Sequence, residues 1–144
     1  FTSLIEPEYL SKDDDVSNYI KEFIFLAGYM VSKADGHLDV IEIQQLSNLI
    51  GSDVSEKIAE VMTQSDDQII DRINTKLEQL KIHLHHHDKL NMARDIFSVA
   101  TSDNVLKEAE VNEMAKVCHV LGIPSFLNEL LAQLDNHAKQ NKAA

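Results

Sequence analysis

Two short acidic segments carry the residues best suited to chemistry. The first, Ala34-Asp35-Gly36-His37-Leu38-Asp39-Val40-Ile41-Glu42, runs Asp-Gly-x-aliphatic-Asp-x-x-Glu, the pattern of the second half of an EF-hand calcium loop. Its first half fails, because with Gly36 at the loop's glycine position Val31 and Lys33 stand where calcium needs oxygen ligands. The second segment, Ser102-Asp103-Asn104-Val105-Leu106-Lys107-Glu108-Ala109-Glu110, repeats the pattern with Asn104 in place of glycine and Lys107 in place of Asp39. Asp35, Asp39 and Glu42 with Asp103, Glu108 and Glu110 form a candidate all-oxygen site for a hard divalent cation, calcium or magnesium. Lys107 would compete with the ion, so binding is expected to be weak or to fall mainly to the first turn. A reading without metal explains the same residues: Gly36 permits a left-handed turn, Leu38 anchors the loop, and Asp39 and Glu42 cap the helix that follows.

Other reactive residue types point to less. His83-Leu84-His85-His86-His87-Asp88 sets His83 and His87 at i, i+4, a spacing that holds zinc or nickel adventitiously if one helix carries both. No Glu follows the first His as in a metalloprotease helix, and the plainer reading is a solvated helix end or connection. The single cysteine, Cys118, falls on an apolar helix face and reads as a small core residue; it excludes an internal disulfide. With no nucleophile-elbow serine and no glycine-rich phosphate loop, the sequence supports no enzymatic activity. Phe23, Phe25, Tyr29 and Phe97 sit at helical spacing inside apolar stretches and read as core.

These turns need helices to position them. Val16, Ile20, Phe23, Ala27, Met30 and Ala34 are spaced alternately by four and three, one face of a helix opened by Asp13-Asp14-Asp15. A capping box from Asp39 to Glu42 opens a second helix that stops at Gly51, and Asp53 to Glu56 has the same spacing before a short third helix from Val54 to Met62. Ser65-Asp66-Asp67-Gln68 opens a fourth, carrying Ile69, Ile73, Leu77, Leu80 and Leu84; a fifth is expected from Asp88 to Val99, a sixth from Glu108 to Leu121 and a seventh from Pro124 towards Lys139. Shifted by 68 residues, the chain matches itself: Tyr29 falls on Phe97, Val31 on Val99, Leu38 on Leu106, Glu42 on Glu110, Leu46 on Met114 and Ile50 on Cys118. Each unit is a helix, an acidic turn and a helix. Neither unit buries its apolar face alone, so two copies around a shared pseudo-twofold core are expected, with the acidic turns at one end.

The paired blocks Lys33-Ala34-Asp35-Gly36-His37-Leu38-Asp39-Val40-Ile41-Glu42 and Thr101-Ser102-Asp103-Asn104-Val105-Leu106-Lys107-Glu108-Ala109-Glu110 resemble the TerB-like family over roughly Val16 to Leu134. That family includes the tellurite-resistance protein TerB and a domain of the membrane-anchored co-chaperone DjlA. The resemblance implies an all-α fold of about seven helices with internal duplication, and it implies that Asp35, Asp39, Glu42, Asp103 and Glu110 match the family's acidic, metal-associated positions. Asn104 and Lys107 depart from the pattern. Members stand alone or are fused to other modules in stress-response and envelope-associated settings.

Composition narrows the partners. In 144 residues there are 24 Asp plus Glu against 13 Lys plus Arg, a formal charge of −11 that stays negative with all seven histidines protonated. Nucleic acid and anionic lipid would repel such a chain. The longest apolar run, Phe23 to Val31, is far shorter than the ~20 residues a bilayer-spanning helix needs. The expected organisation is a lead-in at 1–14, one helical domain at 15–140 and a tail at 141–144. The start at Phe1 reads as a mature form or a piece of a longer protein, and a cytoplasmic location is expected, including the inner face of a membrane reached through a partner or adjoining domain. The function expected is a non-enzymatic module that binds a divalent cation and docks to a protein partner or adjoining domain. The alternative is a purely structural interaction or regulatory domain without metal, and oligomerisation through an apolar patch is a third possibility.

Overall fold

In the computed structural model the described residues are 14–36, 38–102 and 106–143, with side chains described for all of these but 14, 35 and 135–143. They form seven α-helices and no strand: α1 (Asp14–Ser32), α2 (Val40–Ile50), α3 (Ser55–Val61), α4 (Asp66–Leu80), α5 (His86–Ala100), α6 (Glu108–Val120) and α7 (Phe126–Ala143), with a 3-10 turn at Lys33–Asp35 after α1. The all-α fold with a duplicated helix-turn-helix is therefore as the sequence spacing predicts.

The core is built around α1. Val16, Ile20, Phe23, Ala27 and Met30 are buried as their spacing requires. From Phe23 to Ser32 every residue is buried, because α2, α4, α5 and α6 all pack on this helix from different sides. A helix enclosed in this way is apolar all round rather than striped, which accounts for the unbroken run from Phe23 to Val31. Gly28 lets α2 come close: a methyl group there would lie 2.7 Å from Leu46 Cδ2.

The duplication is visible in the packing. The units α1–α2 and α5–α6 end their first helices at equivalent residues, Ser32 and Ala100, and begin their second at Val40 and Glu108. Helix α1 packs on α2 and α6, and α5 on α6 and α2, so each first helix serves the second helix of both units. Buried residues also correspond, with Leu46 and Met114 fully enclosed and Ile50 and Cys118 on the matching face. Leu38 and Leu106 both tuck their loops against the core.

Helix α7 starts at Phe126 rather than Pro124, which lies in the preceding turn, and three further expectations shift for a local reason. Helix α5 starts at His86 rather than Asp88, because Asp88 is its third residue and accepts the His85 backbone N–H at 2.9 Å. Helix α4 ends at Leu80 and turns, with the His83 N–H donating to the Leu80 carbonyl at 2.8 Å, so Leu84 reaches the core from the connection instead of from a helix face. Asp53 does not open α3 with a capping box. Its carboxylate accepts from the Ser55 N–H at 3.0 Å and the Ser55 hydroxyl at 2.7 Å, a tight local turn that holds its pKa below the ordinary value. The Ser65–Gln68 box on α4 forms as its spacing predicts.

Candidate functional site

The site lies where the first turns of α2 and α6 come together. After α1 the chain makes the Lys33–Asp35 turn and reverses through Gly36, whose φ of 102° favours glycine over any residue with a Cβ. Asp39 then takes an extended conformation as the N-cap of α2. Its Oδ1 accepts the Glu42 N–H at 3.0 Å, and Glu42 Oε1 accepts the Asp39 N–H at 3.2 Å, completing a reciprocal box. In the second unit Glu110 Oε1 accepts the Lys107 N–H at 3.1 Å. A lysine side chain has only donors, so the Glu110 N–H donates instead to the Lys107 backbone carbonyl at 3.0 Å.

Each glutamate thus folds back over the start of its own helix, and both are 3% exposed. In this position the two carboxyl groups face one another across the unit boundary, close enough for Glu110 to add to the rise in the Glu42 pKa. Two carboxylates that face each other repel unless one carries a proton. Burial, above all, pushes the Glu42 carboxyl from 4.5 up to about 8; the Asp39 N–H bond opposes this, while Asp39 and Glu110 add to it. The burial of the pair therefore favours the protonated form of the Glu42 carboxyl.

A protein-family model described as tellurite resistance protein TerB matches residues 23–127, from the middle of α1 to the start of α7 and across both acidic turns. The chain belongs to the TerB family. No curated protein and no solved structure matches it.

Of the acidic residues singled out in this TerB chain, the structure unites Glu42 and Glu110 and keeps Asp39 beside Glu42. Glu108, the first residue of α6, is exposed. The Asp35 side chain and the whole of Asp103 lie outside the described residues, as do His37 and Asn104. Among the described residues no three His, Cys, Asp or Glu side chains gather into a metal-binding group. The EF-hand comparison fails structurally as it does in sequence, since Val31 is fully buried and Lys33 is bonded to Asp66 at 2.6 Å.

The histidine pair is not assembled. His83 sits in the turn after α4 and His87 in the first turn of α5, so the helix that i, i+4 ligation requires is broken between them. The His87 ring instead stacks with His85 at 6.0 Å and lies 3.4 Å from Asp88 Oδ1. Cys118 is fully buried, and burial pushes its thiol pKa up, away from nucleophilic use. Sequence reasoning placed Glu42 and Glu110 at equivalent positions but not against each other. The available signal was that both occupy the third helical residue, where a side chain turned back to the N-cap lies on the inner side of its turn.

Proposed function

We propose that this TerB chain is a non-enzymatic module that binds a divalent cation at the Glu42–Glu110 pair and docks to a protein partner or an adjoining domain. The carrying observation is the pair of buried carboxyls, Glu42 and Glu110, brought together from the first turns of α2 and α6. A cation in place of the proton would relieve the desolvation and like charge that raise Glu42, and both donors are hard oxygens suited to calcium or magnesium. Magnesium in particular is held by one or two carboxylates with several waters kept. Asp35, Asp39 and Asp103 are the proposed additional ligands, with Glu108 at the margin. The setting proposed is a stress-response or accessory role in the cytoplasm. No helix among the described residues is long and apolar enough to cross a membrane.

Calorimetric titration of chelator-stripped protein with calcium and with magnesium, in two buffers of different ionisation enthalpy, tests this. Binding should release the Glu42 proton, so the heat should depend on the buffer. Saturation at a hundred times Kd should stabilise the fold by about 2.7 kcal/mol. Glu42→Gln and Glu110→Gln should each abolish both signals, and neither heat nor a melting shift in the wild type would remove the cation. A second reading then stands, a docking module without metal. It is favoured by the fact that both glutamates already serve as capping residues and that the described residues hold no three-ligand group.

A further inference from the structure

Helices α4 and α6 flank α1 on two sides and pack on it far more than on each other, which leaves an open trough between them with α1 as its floor. Two adjoining cavities, of about 590 and 260 Å³, fill its length and share Met30, Glu113 and Lys116. The floor is apolar, made of Phe23, Ala27, Tyr29 and Met30. Three of the molecule's exposed large apolar side chains line it: Met62 at 69% exposure near one end, Ile70 at 43% and Val120 at 39% towards the other. Along α1 the trough runs from Phe23 to Lys33, about 15 Å at the helical rise, the length of two to three turns of a helix laid in it.

The walls differ in charge, and this decides the occupant. On α4, Asp66 lines the trough and is bonded to Lys33, while Asp67 and Asp71 stand exposed beside it, next to Ile70 and Asn74 by helical periodicity. On α6 the rim is mixed, with Lys116 bonded to Glu113 at 2.9 Å and His119 beyond. We propose that the trough docks an amphipathic helix of a protein partner. Its apolar side chains, at i, i+3 or i+4 and i+7, would fill the floor, and Lys or Arg on one flank would face the acidic edge of α4. This rests on the reading of the chain as a docking module and supplies its surface, but it does not depend on the cation.

The test uses three labelled 14-residue probes and fluorescence anisotropy on the whole chain: a Leu/Lys amphipathic peptide, its Leu/Glu counterpart, and a Leu/Lys peptide of the same composition without helical periodicity. The Leu/Lys amphipath should bind at least tenfold more tightly than either control. The double variant Ile70→Asp/Val120→Asp should weaken it at least tenfold, and Asp67→Lys/Asp71→Lys about threefold or more. Ile82→Asp, at a residue 87% exposed in the turn after α4 and outside the trough, should leave it unchanged. If the double variant melts early, Met62→Asp serves instead. No binding by the wild type, equal binding of the three probes, or undiminished binding by the trough variants overturns the proposal. So does a wild-type dimer in sedimentation that Ile70→Asp/Val120→Asp dissociates, since a second copy would then be the occupant. Failure of the peptide with the cation titration intact removes the trough alone, and the reverse result removes the cation alone.

Discussion

The two halves of this molecule have the same skeleton and different chemistry. In both, a long buried helix ends, a leucine pins the turn, and a glutamate at the third position of the next helix folds back over its N-terminus. They part at the residue before that helix, Asp39 in the first unit and Lys107 in the second. Duplication keeps whatever the shared core needs, so the apolar positions and both glutamates match, while the N-cap, half-buried in one unit and exposed in the other, differs. The first turn sets the Asp39 charge beside Glu42, whereas the second carries an exposed lysine at the matching position. Cation binding, if it draws on both turns, is unequal by construction.

Removing core side chains at equivalent positions is the harshest way to break the correspondence. Leu46 and Met114 are both fully buried, so Leu46→Ala and Met114→Ala should each cost about 2–5 kcal/mol in urea unfolding. Leu46→Ala should be the worse of the two. Its neighbour is Gly28, which has no side chain to relax into the void, whereas Ile96 occupies the corresponding place on α5. Equal costs would mean that the close approach at Gly28 adds nothing to the first unit.

The carboxyl pair gives a smaller, pH-dependent effect. Because Glu42 is raised to about 8 in the folded protein from an ordinary 4.5, the folded state retains a proton that the unfolded chain has released between these values. Its stabilising contribution is therefore complete below pH 4.5 and declines as pH rises through about 8. In Glu42→Gln the amide carries its donor at every pH and keeps an oxygen for the Asp39 N–H. The difference in melting temperature between wild type and Glu42→Gln, followed from pH 5 to 9 in chelator, should move in the variant's favour as pH rises, by several degrees at roughly 2–8 °C per kcal/mol. A difference that is flat with pH would mean that folding does not raise the Glu42 carboxyl.

Much of this fold is written in local patterns. The spacing of Val16, Ile20, Phe23, Ala27 and Met30 defines α1, Asp39 with Glu42 and Ser65 with Gln68 mark helix starts, and the 68-residue offset exposes the duplication. Local patterns also mislead where two local uses compete: Asp88 is a capping residue at the third position of α5, not its opener, and Asp53 is held by Ser55 instead of capping α3. The pairing of Glu42 with Glu110 and the trough between α4 and α6 are long-range facts. They arise from how α1 is enclosed, and no periodicity along one helix reports which neighbours leave a gap over another.

Exchanging the N-caps gives the smallest effect and the sharpest reading of the difference between the units. Asp39→Ala removes the acceptor for the Glu42 N–H and an anion from a helix N-terminus, and should cost about 1 kcal/mol. Lys107→Asp does the reverse, offering a side-chain acceptor to a Glu110 N–H now held only by the Lys107 carbonyl and a charge that suits the start of α6, and should gain about 0.5 kcal/mol at pH 6. It also places a second carboxylate beside the pair, so Glu42 should hold its proton to still higher pH and part of the gain should fade in alkali. If the turns share an ion, the same Lys107→Asp substitution should tighten calcium binding while Asp39→Lys should weaken it, with opposite signs from one chemical exchange. Were Lys107→Asp to stabilise the fold and leave calcium affinity untouched, the second turn would be a helix cap alone and the ion, where bound, would belong to the first.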